Sequence, residues 1–474
     1  MKKILSLSVI LVATFGLFFS CNDISESENN LTEESLRRQE LAFYAATGEF
    51  ISTQDEMEDA LKSFCFSDSK RNALNDKNYE FTLISTETVE TATDNQTRSV
   101  IVDSCDNVDL YLYGIKNTST GTEGFAITTT DRRIGNVIAF VPEGSFEEYA
   151  EDTSFALFLE NLEEYIDETS DIWNDLSDEE ISEFKDIANN SRVSASGILG
   201  SGDYTFSNWS YNSGNIKNIL KTKWGQRNPY NTIVNKKKND GKDYPVGCGP
   251  VALAQLFANL EYPKQCSLSE ELCAGVHYDW KSMKSNPNGY WVSASAKNMI
   301  AALMYEIGKG VNADYKTNGT SCSDSNVESY LSKIGFSFSG FSGYNLSSVQ
   351  NSIDNGYPVM VAGYASKKTK RKKIFGITYK KTTTYSDGHY WIIDGYARFS
   401  CTAKNKNSGQ ITAINENYVH CNLGWYGDCD GFYLSGLFDT RHVPLEYSGG
   451  STSTPSSGSY NFQYKQRILT NLHR

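Results

Sequence analysis

Apolar residues run along this chain in two rhythms separated by polar gaps. The first stretch follows neither. Lys2 and Lys3 precede a predominantly apolar run over residues 4–19, closed by Ser20-Cys21 and then polar Asn22-Asp23. That run is shorter than the roughly 20 residues a bilayer-spanning helix needs, so it predicts an export signal over residues 1–21 rather than a span. Residues 22–35 are polar and predict a tether. Helical spacing then covers residues 36–60, and residues 81–141 turn β-like, with Val108-Asp109-Leu110-Tyr111-Leu112-Tyr113, a turn at Gly121 to Gly124, and the buried-strand run 137–141. Acidic helical spacing returns over residues 146–190. The pattern predicts a small α+β unit over residues 36–190.

Residues 191–213 are mostly small and polar, including Ser194-Ala195-Ser196-Gly197, and predict an exposed linker open to proteolytic processing. Residues 214–474 form a second unit. Its clearest elements are an apolar helix from Cys248 to about residue 261, stopped by Pro263, and strands over 357–364 and 389–396. Between those strands lies a Lys/Arg-rich insertion, Lys367 to Lys381, expected as a solvated hairpin. Residues 448–459 are Gly/Ser-rich.

Charge separates the same two units. Residues 1–200 hold 14 Lys/Arg against 39 Asp/Glu, net -25. Residues 201–474 hold 30 against 19, net +11, and together these give the overall -14. Opposite fields on one chain steer its halves together, as in a prosegment docked on its own mature domain. The charge run Lys367 to Lys373 carries no interleaved aromatics, so nucleic acid is not an expected partner. With 13% aromatic residues both units can bury real cores.

Ten cysteines are present. An exported chain permits disulfides. Apart from Cys21 and Cys248, two fall in the acidic half (Cys65, Cys105) and six in the basic half, where Cys421 with Cys429 and Cys266 with Cys273 are the favoured short loops. No Cys-x-x-Cys or His-Glu-x-x-His occurs, so neither a metal nor another cofactor is expected.

The candidate chemistry sits at Cys248. Gly247 and Gly249 flank it, Pro250 suits a first helical turn, and the helix N-terminus favours a thiolate, the form that attacks a carbonyl. A thiolate needs a proton shuttle. Of the five histidines, His389, in Gly388-His389-Tyr390-Trp391-Ile392-Ile393-Asp394-Gly395, enters a strand through a glycine, 141 residues after Cys248.

Cys248-Gly249-Pro250-Val251-Ala252-Leu253-Ala254-Gln255, the His389 block, and Asn422-Leu423-Gly424-Trp425-Tyr426-Gly427-Asp428-Cys429-Asp430-Gly431-Phe432-Tyr433 resemble three blocks of the streptopain family of cysteine peptidases, a papain-like clan. Trp224-Gly225-Gln226-Arg227 resembles the family's glutamine segment. Gly124 to Arg133 and residues 141–146 resemble its inhibitory prodomain. The Cys-to-His separation also falls within the roughly 130 to 150 residues of papain-like enzymes.

The resemblance implies a papain-like α+β catalytic domain over 214–474 behind a prodomain over 36–190. It also implies Cys248 as nucleophile, His389 as general base and acid, and Asn422 as acceptor of the second imidazole N-H. The Gln226 amide would join the Cys248 backbone N-H in the oxyanion hole, and Trp425 would line the substrate site. Leu423 stands where the family has tryptophan and is expected to shield the histidine less. Leu17 to Cys21 resembles a lipoprotein signal in which Cys21 is acylated, which implies a membrane anchor at the cell envelope. Protein substrates, the chain's own prodomain as inhibitor and a monomer follow. Two other classes use the same fold or dyad: a noncatalytic surface-binding protein, and a thiol amidase acting on cell-wall peptides.

Overall fold

The computed structural model describes residues 33–64, 79–90, 107–146, 153–189, 204–214, 219–363, 371–374, 377–380, 389–407, 409–438 and 466–474. Cys21, Cys65, Cys105, residues 191–203, Lys367 and the 448–459 stretch lie outside them. A helix starts at Glu33, inside the expected tether. Among the described residues no helix is long and apolar enough to cross a membrane.

Helices Glu33–Thr47 and Gln54–Lys62 open the acidic half. The second begins at a capping box, Thr53 accepting from the Glu56 N-H and Glu56 from the Thr53 N-H. Four antiparallel strands follow in sequence order, β1 (Tyr79–Glu90), β2 (Asn107–Asn117), β3 (Glu123–Thr129) and β4 (Val137–Val141). Helices Thr153–Asp175 and Asp178–Asn189 complete this half.

The expected linker is corrected at its end. Tyr204–Phe206 (β5) and Ser210–Ser213 (β6) are strands paired antiparallel with a later, 17-residue strand, β13 (His389–Asn405). β13 outruns its partner β10 (Val359–Gly363), and its far end leaves backbone groups that these residues satisfy. Tyr204 and Phe206 supply apolar side chains that small-residue composition alone obscured.

The basic half places helices Thr232–Lys238, Cys248–Leu260 and Ala294–Gly310 before the hairpin β7 (Asp314–Lys316) and β8 (Gly319–Ser321). Helix Asp324–Lys333, β9 (Ser337–Gly343) and helix Leu346–Asp354 lead into β10. Part of the basic insertion forms a separate hairpin, β11 (Arg371–Ile374) with β12 (Ile377–Lys380). After β13 come β14 (Ile411–Asn422), β15 (Gly431–Leu434) and β16 (Arg467–His473). One sheet runs through both halves in the order β1-β2-β3-β4-β15-β14-β13-β10-β16-β9.

Strand alternation divides the interior into two cores. On β13, Tyr390 and Ile392 face the core built around the Cys248–Leu260 helix, while Trp391 and Ile393 face the core shared with the acidic half. Both faces are covered, so β10 and the start of β13 are buried at every position. The histidine strand is therefore the wall between two cores.

The halves join through β4 and β15, with Phe140 opposite Phe432 and Ala139 opposite Tyr433. Phe64 of the acidic half stacks on Phe399 at 4.5 Å and packs edge-on against Tyr418 at 4.7 Å. The Lys223–Glu143 ion pair crosses the join at 2.9 Å, but both partners are partly exposed and such a pair contributes at most about 1 kcal/mol. Strand pairing and buried rings hold the two halves together.

Glu416, buried in this join, accepts from the Asn136 N-H at 3.1 Å and from the Tyr418 hydroxyl. Burial pushes its carboxyl up to about 7, with Glu40 adding to the rise and Tyr418, the Asn136 N-H and Arg37 opposing it. A folded value above the ordinary carboxylate range contributes stability in full below that range and loses it as pH rises through about 7. Glu416→Gln, uncharged at all pH, is therefore expected to gain thermal stability over the parent chain as pH is raised from about 5 to about 8. Melting curves of both chains at the two pH values check this. A difference that does not grow with pH would refute it.

Candidate active site

The Cys248–Leu260 helix is apolar on nearly every face and is buried from Cys248 through Ala258. Its entry depends on two glycines. Gly247 has φ +96°, and a Cβ there would meet Thr320 of β8 at 2.9 Å. A Cβ on Gly249 would meet Cys322 Sγ at 2.5 Å and Tyr390 Cδ2 at 3.4 Å. The sequence marked these glycines as lacking bulk. The β7/β8 hairpin on one side and the residue after His389 on the other are what require it. The nucleophile's turn thus abuts the start of the histidine strand, at the positive end of a 13-residue helix.

His389 is 5% exposed. Its ring lies between Trp391, 5.9 Å away at 13°, and Trp425, 6.2 Å away at 20°. Nε2 lies 3.2 Å from the Leu423 carbonyl oxygen. A carbonyl only accepts, so Nε2 carries the proton and the lone pair of the neutral ring falls on Nδ1, the nitrogen able to take a thiol proton. Burial pushes the imidazole down to about 4, with the Leu423 carbonyl partly opposing.

Asn422 does not hold the position the resemblance implied. Its Oδ1 accepts from Gln255 Nε2 at 2.9 Å and from the Gly424 N-H, and its Nδ2 donates to the Thr222 carbonyl at 3.0 Å. The acceptor at the imidazole is the next residue's main-chain carbonyl. The reason is local: β14 ends at Asn422, and the chain leaves the strand so that the Leu423 carbonyl faces the ring while the amide is drawn toward the Cys248 helix.

Leu423 is fixed in turn by Asp430, whose Oδ1 accepts its N-H at 2.9 Å. Asp430 is buried, and burial pushes its carboxyl up to about 7, with His420, the Leu423 N-H and Lys223 pulling it back. His420 Nδ1 sits 2.6 Å from Asp394 Oδ1. Burial disfavours the charged ring there, yet Asp394 outweighs it and the imidazole is raised. Leu423 itself is 8% exposed, so it excludes water where a tryptophan was expected.

Gln226 is 7% exposed, and its carbonyl accepts from the Val246 N-H at 2.9 Å, two residues before the nucleophile. Tyr426 clamps this segment. Its ring occupies the place of a Gly225 Cβ, 2.5 Å from that position, and its hydroxyl accepts from the Arg227 N-H at 2.9 Å. Trp425 covers one face of the imidazole, a closer relation to the histidine than the expected substrate-lining role.

Gln255 carries a role the sequence reading missed. Fully buried, it accepts from Thr222 Oγ1 at 3.0 Å and the Trp224 N-H at 3.1 Å while donating to Asn422. One amide ties the nucleophile helix to the glutamine segment and the end of β14. The signal was present: an amide on the buried stretch of an apolar helix, seven residues and two turns beyond Cys248. Gln255→Leu leaves these partners unsatisfied at roughly 1–3 kcal/mol each, before any relaxation. A fall of several degrees in melting temperature is expected, and an unchanged melt would reject the tie.

Among the described residues no His/Cys/Asp/Glu cluster could hold a metal ion. Neither favoured disulfide is formed. Cys266 and Cys273 are not bridged, nor are Cys421 and Cys429. Cys421 ends inside the core on β14, whereas Cys429 has left the strand at φ +58°.

A sequence model of the peptidase C10 family matches residues 224–433, the span that holds every catalytic candidate above. Residues 224–433 belong to the peptidase C10 family. This half of the chain is a cysteine endopeptidase. Streptopain from Streptococcus pyogenes is 26% identical over 349 residues, covering 69% of this chain and 73% of the relative, and streptopain of serotype M1 matches to the same extent. Among solved structures, a fragment of prointerpain A from Prevotella intermedia is 17% identical with a TM-score of 0.43, covering 81% of this chain and 98% of that one. Active interpain A is 20% identical with a TM-score of 0.34, covering 55% and 95%.

Proposed function

We propose that the full chain is the zymogen of an exported cysteine endopeptidase that cleaves protein substrates through an acyl-thioester on Cys248. The supporting observation is the meeting of the Cys248 helix N-terminus with the start of the His389 strand, the imidazole proton being committed to the Leu423 carbonyl. In the reaction the Cys248 thiol gives its proton to His389 Nδ1 and its sulfur attacks the scissile carbonyl. The resulting oxyanion is met by the Cys248 N-H and the Gln226 amide. Collapse expels the amine, protonated by His389, and water then hydrolyses the thioester.

In the full chain His389 is buried and held neutral, so it offers no imidazolium to pair with a thiolate. The acidic half would act on the site through β4, which pairs with β15 directly after the 423–430 loop. Cleavage between residues 190 and 204 would release residues 36–190 as the inhibitory unit and leave β5 and β6 on β13. Acylation at Cys21 would hold the zymogen at the envelope.

Labelling by a thiol-directed epoxide at neutral pH, before and after limited proteolysis of the 191–203 segment, tests this reading. Slow labelling of Cys248 in the full chain and fast labelling with casein cleavage after removal of the acidic half is the expected result. Ordinary thiol reactivity and no casein cleavage after removal would contradict it.

A further inference from the structure

Cys322 stands beside the nucleophile with no part in the mechanism above. It follows β8 and precedes helix Asp324–Lys333. Its sulfur fills the space a Gly249 Cβ would take, 2.5 Å from that position. Since Gly249 is bonded to Cys248, that sulfur lies against the backbone of the nucleophile's turn. Its place is held from both sides. Thr320 Oγ1 donates to the Pro245 carbonyl at 2.6 Å, locking the β7/β8 hairpin over residues 245–249. The Tyr390 hydroxyl donates to Asp324 and lies 3.5 Å from the Cys322 carbonyl, fixing the segment to the residue after His389. Burial raises the Cys322 thiol, and negative charge on Cys248 is the next largest cause. Both cysteines are outside any disulfide in the structure.

We propose that Cys322 is the resolving thiol of an oxidative modification site at Cys248, with a hydroperoxide as the co-substrate. The Cys248 thiolate sulfur attacks the terminal peroxide oxygen, the O–O bond breaks, and the departing alkoxide or hydroxide leaves as alcohol or water after taking a proton. Cys248 is then a sulfenic acid, oxidised by two electrons as the peroxide is reduced by two. The Cys322 sulfur next attacks the Cys248 sulfur, the S–O bond breaks, and the thiol proton departs with the hydroxide as water. Two thiols and one hydroperoxide give one disulfide, one alcohol or water, and one further water. Oxidation removes the negative charge on Cys248 that opposed ionisation of Cys322. An external dithiol reverses the bond by exchange and restores both thiols. Without Cys322 the sulfenic acid has no adjacent thiol among the described residues, and a second hydroperoxide, itself leaving as alcohol or water, oxidises it by two more electrons to the irreversible sulfinic acid.

The proposal rests on the reading of Cys248 as a reactive thiolate, and peptide mapping separates the two. The chain freed of its acidic half is treated with hydrogen peroxide, alkylated and digested without reductant, beside Cys322→Ser and Cys322→Ala variants. The parent is expected to yield a peptide pair joined through Cys248 and Cys322, lost on dithiothreitol with full recovery of casein cleavage. Both variants are expected to cleave casein before oxidation, and after it to carry sulfinic acid at Cys248 and recover less than a tenth of their activity. Over-oxidation of Cys248 in the parent as fast as in the variants, with no linked pair, overturns the proposal while leaving the peptidase reading intact. A Cys248 inert to peroxide and to iodoacetamide in a chain that cleaves no casein overturns both.

Discussion

Cys248→Ala is expected to leave the chain at full length and to lower casein cleavage by about 10⁴-fold or more, to the background of the assay. The size follows from the chemistry: Cys248 is the thiol that opens the helix at its positive end, and without a nucleophile no acyl-thioester forms. Alanine fits the site, since the turn is already set by Gly247 and Gly249 and the residue faces a packed but small space. The melting temperature should therefore stay close to that of the parent, which separates lost chemistry from lost fold. Gel analysis of maturation and a casein assay on separately trimmed protein check the two parts. Maturation and cleavage at parental rates would remove Cys248 from the mechanism.

The second large effect is expected at Asp430, which touches no substrate. Its carboxylate holds the Leu423 N-H, and the Leu423 carbonyl holds His389 Nε2. In Asp430→Ala the 423 peptide loses its anchor, and a displacement of about 1 Å at a catalytic group costs on the order of 10²-fold. We expect kcat to fall between about 10-fold and 100-fold with KM nearly unchanged, because the binding surface is untouched. Asp430→Asn keeps an acceptor oxygen and is expected to recover most of the rate. The pair of variants tells positioning from bulk stability: a residue that mattered only for folding would lower active-enzyme yield without changing kcat per labelled Cys248. Parental kcat in Asp430→Ala would show that Leu423 is held by its strand alone.

The Asp430 anchor also shows where sequence reasoning stopped. Asp430 was visible inside a family-like block, and Asn422 was the orienting residue that the resemblance implied. Which of two adjacent residues presents its oxygen to the ring depends on how the chain leaves β14, and that depends on Gln255 competing for the amide from another helix. Neither fact is local. The same holds for Cys322, which lies 74 residues from Cys248 and carries no motif; only the closing of the β7/β8 hairpin over Gly247 and Gly249 brings its sulfur to the turn.

The fold class was open to reading for the opposite reason. Period-2 and helical spacing are local properties of buried faces, so the strands at 108–113, 137–141 and 389–396 and the apolar helix after Cys248 announced themselves. The residues of the 204–213 stretch did not, because pairing there is decided by the surplus length of β13 rather than by composition. Cys248 and His389 could be named from residue type, glycine flanks and helix position, since thiolate stabilisation by a helix end is written into a dozen consecutive residues. The neutral, ring-stacked state of the imidazole, the carbonyl that holds it and the thiol beside the nucleophile were settled by packing. Burial and distance between remote segments are set by the closed sheet and its two cores, and by no single stretch of chain.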